Sequence, residues 1–145
     1  DDWWEEYAPL EGIPVIGYVA ARSGETLMNM MAAKLEAASL TYAITALGAA
    51  WLLAPMARFR KLHVYVRGRP EDRLLEDVGF RKGEKGANLQ VIVGPDNAVW
   101  KDATEVDGIR CVSALQAYLD LKNGPERSTE AAKHLRDRHL LWPRP

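Results

Sequence analysis

The sequence predicts an α/β (α+β) domain: a mixed β-sheet flanked by helices, with a helical C-terminal part. Three observations predict it. Apolar residues make up 48% and charged residues 27% of 145 positions, the balance of one folded domain and not of a disordered chain. Short strand-like runs (GIPVIGYVAA, TYAIT, LHVYV, NLQVIV) alternate with segments whose apolar residues recur at helical spacing. Gly and Pro stand at the changeovers, as at Gly68, Gly79, Gly94-Pro95 and Gly124.

The elements follow in order. Asp2 to Ala8 reads as a short amphipathic helix with Trp3, Trp4 and Tyr7 on one face, stopped by Pro9. The chain opens on Asp1 and not on Met, so we expect residues 1–11 to be a linker-like helix that follows an upstream domain. Residues 12–145 are then a single domain. Gly12 to Ala21 is strand-like, and Pro14 favours a sheet edge. Ser23 is an N-cap for a helix with Leu27, Met28, Met31, Leu35 and Ala38 on one stripe. That spacing accounts for the Met run as core rather than as a sticky partner surface.

Thr41 to Thr45 reads as a strand, and Gly48 as a small-residue turn into a helix over Ala49 to Ala54. Leu62 to Arg67 is a strand in which His63, Tyr65 and Arg67 point away from Leu62, Val64 and Val66. Pro70 sits at the first turn of a helix with Leu74, Leu75 and Val78 inward, and Gly79 stops it. Arg81 to Gly86 reads as a turn, and Asn88 to Val93 as the clearest strand. Val99 to Lys101 and Ile109 to Val112 are short strands. Ser113 and Gln116 fit a capping box at the head of a helix. Thr129 to Arg138 is a last helix with Ala131, Ala132 and Leu135 inward, and Leu140 to Trp142 an apolar tail that packs down.

Charge is uneven along the chain. Residues 1–57 carry seven acids and two bases, residues 58–101 ten bases and six acids, and residues 102–145 seven of each. The sharpest cluster is Arg58, Arg60, Lys61, Arg67 and Arg69. It reads either as a positive face for phosphate or an acidic partner, or as the guarded edge of a strand. The apolar run at Ala43 to Ala57 contains Thr45 and Pro55 and is shorter than the roughly 20 residues of a membrane span.

Catalytic signatures are sparse. His134 and His139 are five apart, not the four that would place two ligands on one helical face, and all three histidines (with His63) read as surface or boundary residues. The single cysteine, Cys111, can form neither an internal disulfide nor a Cys-based zinc site, and it reads as a packed thiol in a cytoplasmic protein. Neither a Gly-x-Ser-x-Gly elbow nor a phosphate-binding Gly-Lys-Ser/Thr loop occurs. Pro95-Asp96 lacks the Glu-x-Lys that would complete a nuclease motif. We expect no catalytic residue, metal or cofactor.

Residues 41–67 read strand, small-residue turn, helix, strand. This resembles the opening of the nucleotidyltransferase fold, in which a Gly-Ser turn grips triphosphate and two carboxylates at alternate strand positions hold magnesium. Carboxylates are needed there because two-metal chemistry requires hard anionic oxygen ligands. Here the turn is Leu47-Gly48-Ala49 and the alternate positions are His63 and Tyr65. The resemblance implies a degenerate nucleotidyltransferase-like fold, although strand–helix–strand units are also common in general.

A longer set of motifs resembles the AbiEi antitoxins of type IV toxin–antitoxin systems, in particular their C-terminal domain. It comprises Tyr42 to Ala50, Leu53-Ala54-Pro55, Leu62 to Val66, Val112 to Leu121 and Glu130 to Arg136, over about residues 40–137. The resemblance implies a non-catalytic antitoxin domain that counters a nucleotidyltransferase toxin or acts on the toxin's target, in phage defence and without the need for a stable complex. It also implies an upstream winged-helix domain that binds operator DNA and represses its own operon. The partner or phosphate-binding candidates are Arg58, Arg60, Lys61, His63, Tyr65 and Arg67, taken as exposed, with Gln116, Asp120 and Arg136 beside them. An alternative stays open: a nucleotide- or nucleic-acid-binding module that uses a basic strand face. A homo-oligomer built on the Trp3/Trp4 helix or the C-terminal tail is a third reading, and no membrane partner is expected.

Overall fold

The computed structural model describes residues 12–56, 58–122, 124 and 128–140. The expected N-terminal helix, and the tail at Leu141 and Trp142, lie outside the described residues. Strand β1 (Ile13–Tyr18) leads to helix α1 (Gly24–Ala37), then β2 (Tyr42–Thr45) and α2 (Ala46–Leu53). Next come β3 (Leu62–Val66), α3 (Asp72–Asp77), β4 (Arg81–Lys82) and β5 (Leu89–Val93). A 3₁₀ turn (Asn97–Trp100) precedes the hairpin of β6 (Thr104–Val106) and β7 (Ile109–Cys111). Helices α4 (Ala114–Leu121) and α5 (Ser128–Leu135) follow, and a wider π-type turn runs over Arg136–Leu140.

Seven strands form one mixed sheet in the order β4-β1-β5-β3-β2-β7-β6. The expected fold class is therefore present. β3 lies in the middle, parallel to β5 and antiparallel to β2. Paired residues share a face, so Leu62, Val64 and Val66 line up with Leu89, Val91 and Val93 on one side. This aliphatic side shares a core with Leu27, Met28, Met31 and Leu35 of α1. Each such buried side chain contributes roughly 1.5–3 kcal/mol, which accounts for the Met run without a partner. The other side carries Ala43, Thr45, His63, Tyr65, Gln90 and Ile92, and α4 packs over part of it through Asp120.

Pro14 lies where the sequence reading placed it. Ile16 accepts a hydrogen bond from Gly83 on the β4 side, and Gly17 accepts one from Asn88 on the β5 side. Alternation therefore turns the Pro14 nitrogen outward. β4 pairs only with Gly17 and Tyr18, so the N–H that Pro14 lacks would have faced an open edge.

Several boundaries differ from expectation. The helix after β2 starts at Ala46, not Ala49, and Gly48 lies inside it. A Cβ on Gly48 would stand 2.6 Å from Ile44 and 3.0 Å from Leu62, so the glycine lets α2 approach the sheet closely. Ala46 takes a left-handed φ of 55°, strained for an L residue, where the chain turns from strand to helix. Residues 99–101 are not a strand, because the Asp96 side chain accepts from the Ala98 N–H and caps a 3₁₀ turn instead. Arg81 and Lys82, expected as a turn, pair as β4. The last α-helix ends at Leu135, and the backbone widens from Arg136.

Candidate functional site

Thr45 is the last residue of β2, and Tyr65 lies one strand away on the same face. From α4, Asp120 reaches between them. Its Oδ2 accepts from the Thr45 hydroxyl at 2.6 Å and from the Tyr65 hydroxyl at 2.7 Å. Its Oδ1 accepts from the Gln116 amide, one helical turn earlier, at 3.0 Å. Thr45, Tyr65 and Asp120 are all buried. A buried carboxylate is costly unless charge-assisted hydrogen bonds replace its water, and three donors do so here. The cluster joins β2, β3 and α4 across sequence gaps of 75 and 55 residues.

This network also explains two capping results. The Thr45 side chain does not cap α2, because its hydroxyl donates to Asp120. Ser113 Oγ accepts from the Gln116 N–H, but the Gln116 side chain turns to Asp120 rather than back to Ser113. Only half of the expected capping box forms.

His63 sits opposite Thr45, buried to 3% exposure. Burial first, and the Lys61 charge second, push its imidazole down to about 4, so it is neutral at physiological pH. Tyr42 donates to Glu36 and accepts from the Arg110 N–H, and burial is the main cause of its rise to about 12. Burial pushes the Cys111 thiol up to about 11, which fits the packed thiol expected from sequence. Among the described residues no group of three His, Cys, Asp or Glu side chains is placed to hold a metal ion. None of their helices is long and apolar enough to cross a membrane.

The sequence-derived candidates do not form one face. His63 and Tyr65 were expected to be outward and exposed. Both are buried, because β3 is central and covered on both sides. For the same reason the basic residues around it do not guard a sheet edge. Arg58 and Arg60 are exposed and Lys61 half-buried at the entry to β3. Arg67 lies past the exit, about 20 Å away at ~3.3 Å per residue, with its guanidinium 4.8 Å over the Trp100 ring. Asp120 is buried and Gln116 half-buried, because both serve the network. Arg136 is exposed, with its Nη2 at 3.4 Å from Asp137. His63 also corrects the expectation of three surface or boundary histidines. His134 is half-buried, and His139 is exposed with its Nε2 2.6 Å from the Leu53 carbonyl at the end of α2.

Thr45 was missed as a member of this network. A threonine closing a β-rich run carries no local signal, and its partner is 75 residues away.

A search of the solved structures matches a nucleotidyltransferase-like antigenic protein from Paracoccidioides brasiliensis at 12% identity. The match covers 82% of this chain and 76% of that one, with a TM-score of 0.49. A likeness at that score decides nothing about what this chain does. A search of curated proteins found no match. A family model described as "Transcriptional regulator, AbiEi antitoxin, Type IV TA system" matches residues 2–141, nearly the whole chain. The motif order from Tyr42 to Arg136 and this match agree, and the chain belongs to the AbiEi antitoxin family of type IV toxin–antitoxin systems.

Proposed function

We propose that residues 12–145 are a non-catalytic antitoxin domain that counters a nucleotidyltransferase toxin, by contact or by acting on the toxin's target. The observation that carries this reading is the β3 pair. On the nucleotidyltransferase resemblance, its alternate positions would hold metal-binding carboxylates. Here they are His63 and Tyr65, both buried. The carboxylate nearest them in the network, Asp120, has both oxygens engaged by Thr45, Tyr65 and Gln116. Such an arrangement stabilises a shell and places no carboxylate at either of these two β3 positions. The family description supports the antitoxin assignment. In the same proposal, an upstream winged helix binds operator DNA, and the protein works in the cytoplasm, as a monomer or a homo-oligomer.

The test is growth rescue. This chain is co-expressed with the nucleotidyltransferase encoded beside its gene, at matched toxin levels. Rescue is expected, and it should weaken when Arg58, Arg60 and Lys61 are all changed to Glu in a chain that still folds. Failure of the soluble, folded parent to rescue would overturn the assignment of the activity to these residues. The alternative of nucleic-acid binding would need cations beyond the strand itself, because both faces of β3 are covered.

A further inference from the structure

We propose that one end of the sheet is a docking surface for single-stranded nucleic acid, formed by Arg58, Lys61, Arg81, Lys82 and Lys85 around the exposed Tyr18. The inference is independent of the antitoxin reading, and either can fail alone.

The register brings these residues from distant parts of the chain to one end of the sheet, with Tyr18 and Arg81 on one face and Lys82 on the other. Lys82 pairs with Gly17, Gly17 with Leu89, and Leu89 with Leu62. One row therefore runs across four adjacent strands from Lys82 to the residue that follows Lys61. Three strand spacings make it about 14 Å long at ~4.8 Å each. Asn88 fastens this end, since its side chain donates to the Val19 carbonyl and accepts from the Val19 N–H. The Gly24 N–H donates to the Phe59 carbonyl at 2.8 Å, which ties the basic lead-in of β3 to the start of α1. That 14-residue helix thus opens at the same end and adds its partial positive charge.

Charge separates the two ends of the sheet. The stretches 19–25, 58–61 and 81–88 meet at this end and carry seven bases against two acids. At the far end, the stretches 67–72, 94–97 and 105–110 carry three bases against five acids. Among the described residues no ion pair engages Arg58, Lys61, Arg81, Lys82 or Lys85. At the far end Arg69 pairs with Asp72, and Arg67 lies over Trp100. The segment that reads as one basic cluster in sequence is thus divided between the two ends of the sheet.

Tyr18 selects the partner. It is 41% exposed and sits directly opposite Arg81. An aromatic ring set among cations offers a stacking platform beside phosphate contacts. An acidic protein surface would use the cations and leave the ring idle. A duplex keeps its bases stacked away from such a ring, whereas a single strand can present them.

The test is fluorescence anisotropy on the 145-residue chain with labelled oligo-U and oligo-dT of about twelve nucleotides. Binding of either sugar type upholds the proposal and shows whether the 2′-hydroxyl matters. With about four phosphates engaged, the log–log slope against salt is expected near −3. The exposed triple variant Arg58→Glu, Lys82→Glu, Lys85→Glu should bind at least ten times more weakly, with unchanged circular dichroism and Tm. Tyr18→Ala should weaken both oligonucleotides while leaving inorganic polyphosphate binding as it was. Arg69→Glu, at the far end, should change nothing. Four results would overturn the proposal: no binding by the parent at low salt, parental binding by the folded triple variant, parental oligonucleotide binding by Tyr18→Ala, or polyglutamate binding as tightly as the oligonucleotides.

Discussion

Acidification below neutrality acts on His63 because the folded chain buries its imidazole. The imidazole is 3% exposed, and burial, with the Lys61 charge adding to it, lowers its pKa from 6.5 to about 4. The unfolded chain takes up a proton near pH 6.5, while the folded chain refuses it until about pH 4. Stability from this group is complete above 6.5 and is lost as pH falls through that window. At about 1.4 kcal/mol per pH unit, the loss amounts to about 3 kcal/mol. Set against the 5–15 kcal/mol of an ordinary domain, that is enough to move an unfolding midpoint clearly. Carboxylates also titrate in this range, so the comparison is made with His63→Gln, which keeps a polar side chain and cannot protonate. Urea unfolding is followed for both proteins from about pH 7 to about pH 4. The parent should lose about 3 kcal/mol more than the variant over that range. Parallel pH profiles would refute the reasoning, as would His63 ring signals that titrate near the ordinary histidine value in the folded protein.

Three further outcomes are expected. Asp120→Ala leaves the Thr45 and Tyr65 hydroxyls and the Gln116 amide without their acceptor, and should cost about 3 kcal/mol or more; an unchanged Tm would mean the network contributes nothing. In Gly24→Ala the new Cβ would meet the Phe59 ring and stand 2.5 Å from its carbonyl oxygen, so a loss of about 1–3 kcal/mol is expected in chemical denaturation, and a gain would show that the lead-in moves freely. Cys111, buried and with its thiol pushed up to about 11, should resist a thiol reagent at mildly alkaline pH and react only at the rate of unfolding; rapid labelling of the native protein would contradict its packing.

How far the sequence could be read depended on the range of the interaction. The Ser23 cap, with Oγ accepting from the Thr26 N–H, was legible because donor and acceptor lie three residues apart. The Met stripe of α1 and the run of strand-forming residues in β5 were legible for the same reason, since both are local patterns. The family resemblance rested on such patterns too, taken in order. Strand position was not legible. The alternation in β3 correctly separates His63 and Tyr65 from Leu62 and Val64, yet it cannot say that the second face is covered as well. Gln116 and Asp120, partner candidates on the sequence, are instead parts of one network around a buried carboxylate.

The chain by itself determined its helices, most of its strands, its aliphatic core and its place among the AbiEi antitoxins, because periodicity, caps and turn residues act within a few positions. Only the tertiary structure decided that β3 is central, that Asp120 meets Thr45 and Tyr65, and that the cations of residues 58–61 share an end of the sheet with those of 81–85 and not with Arg67 and Arg69. The physical reason is strand geometry. A strand of five residues carries the chain from one end of the sheet to the other, so neighbours in sequence part while residues on adjacent strands come within about 5 Å.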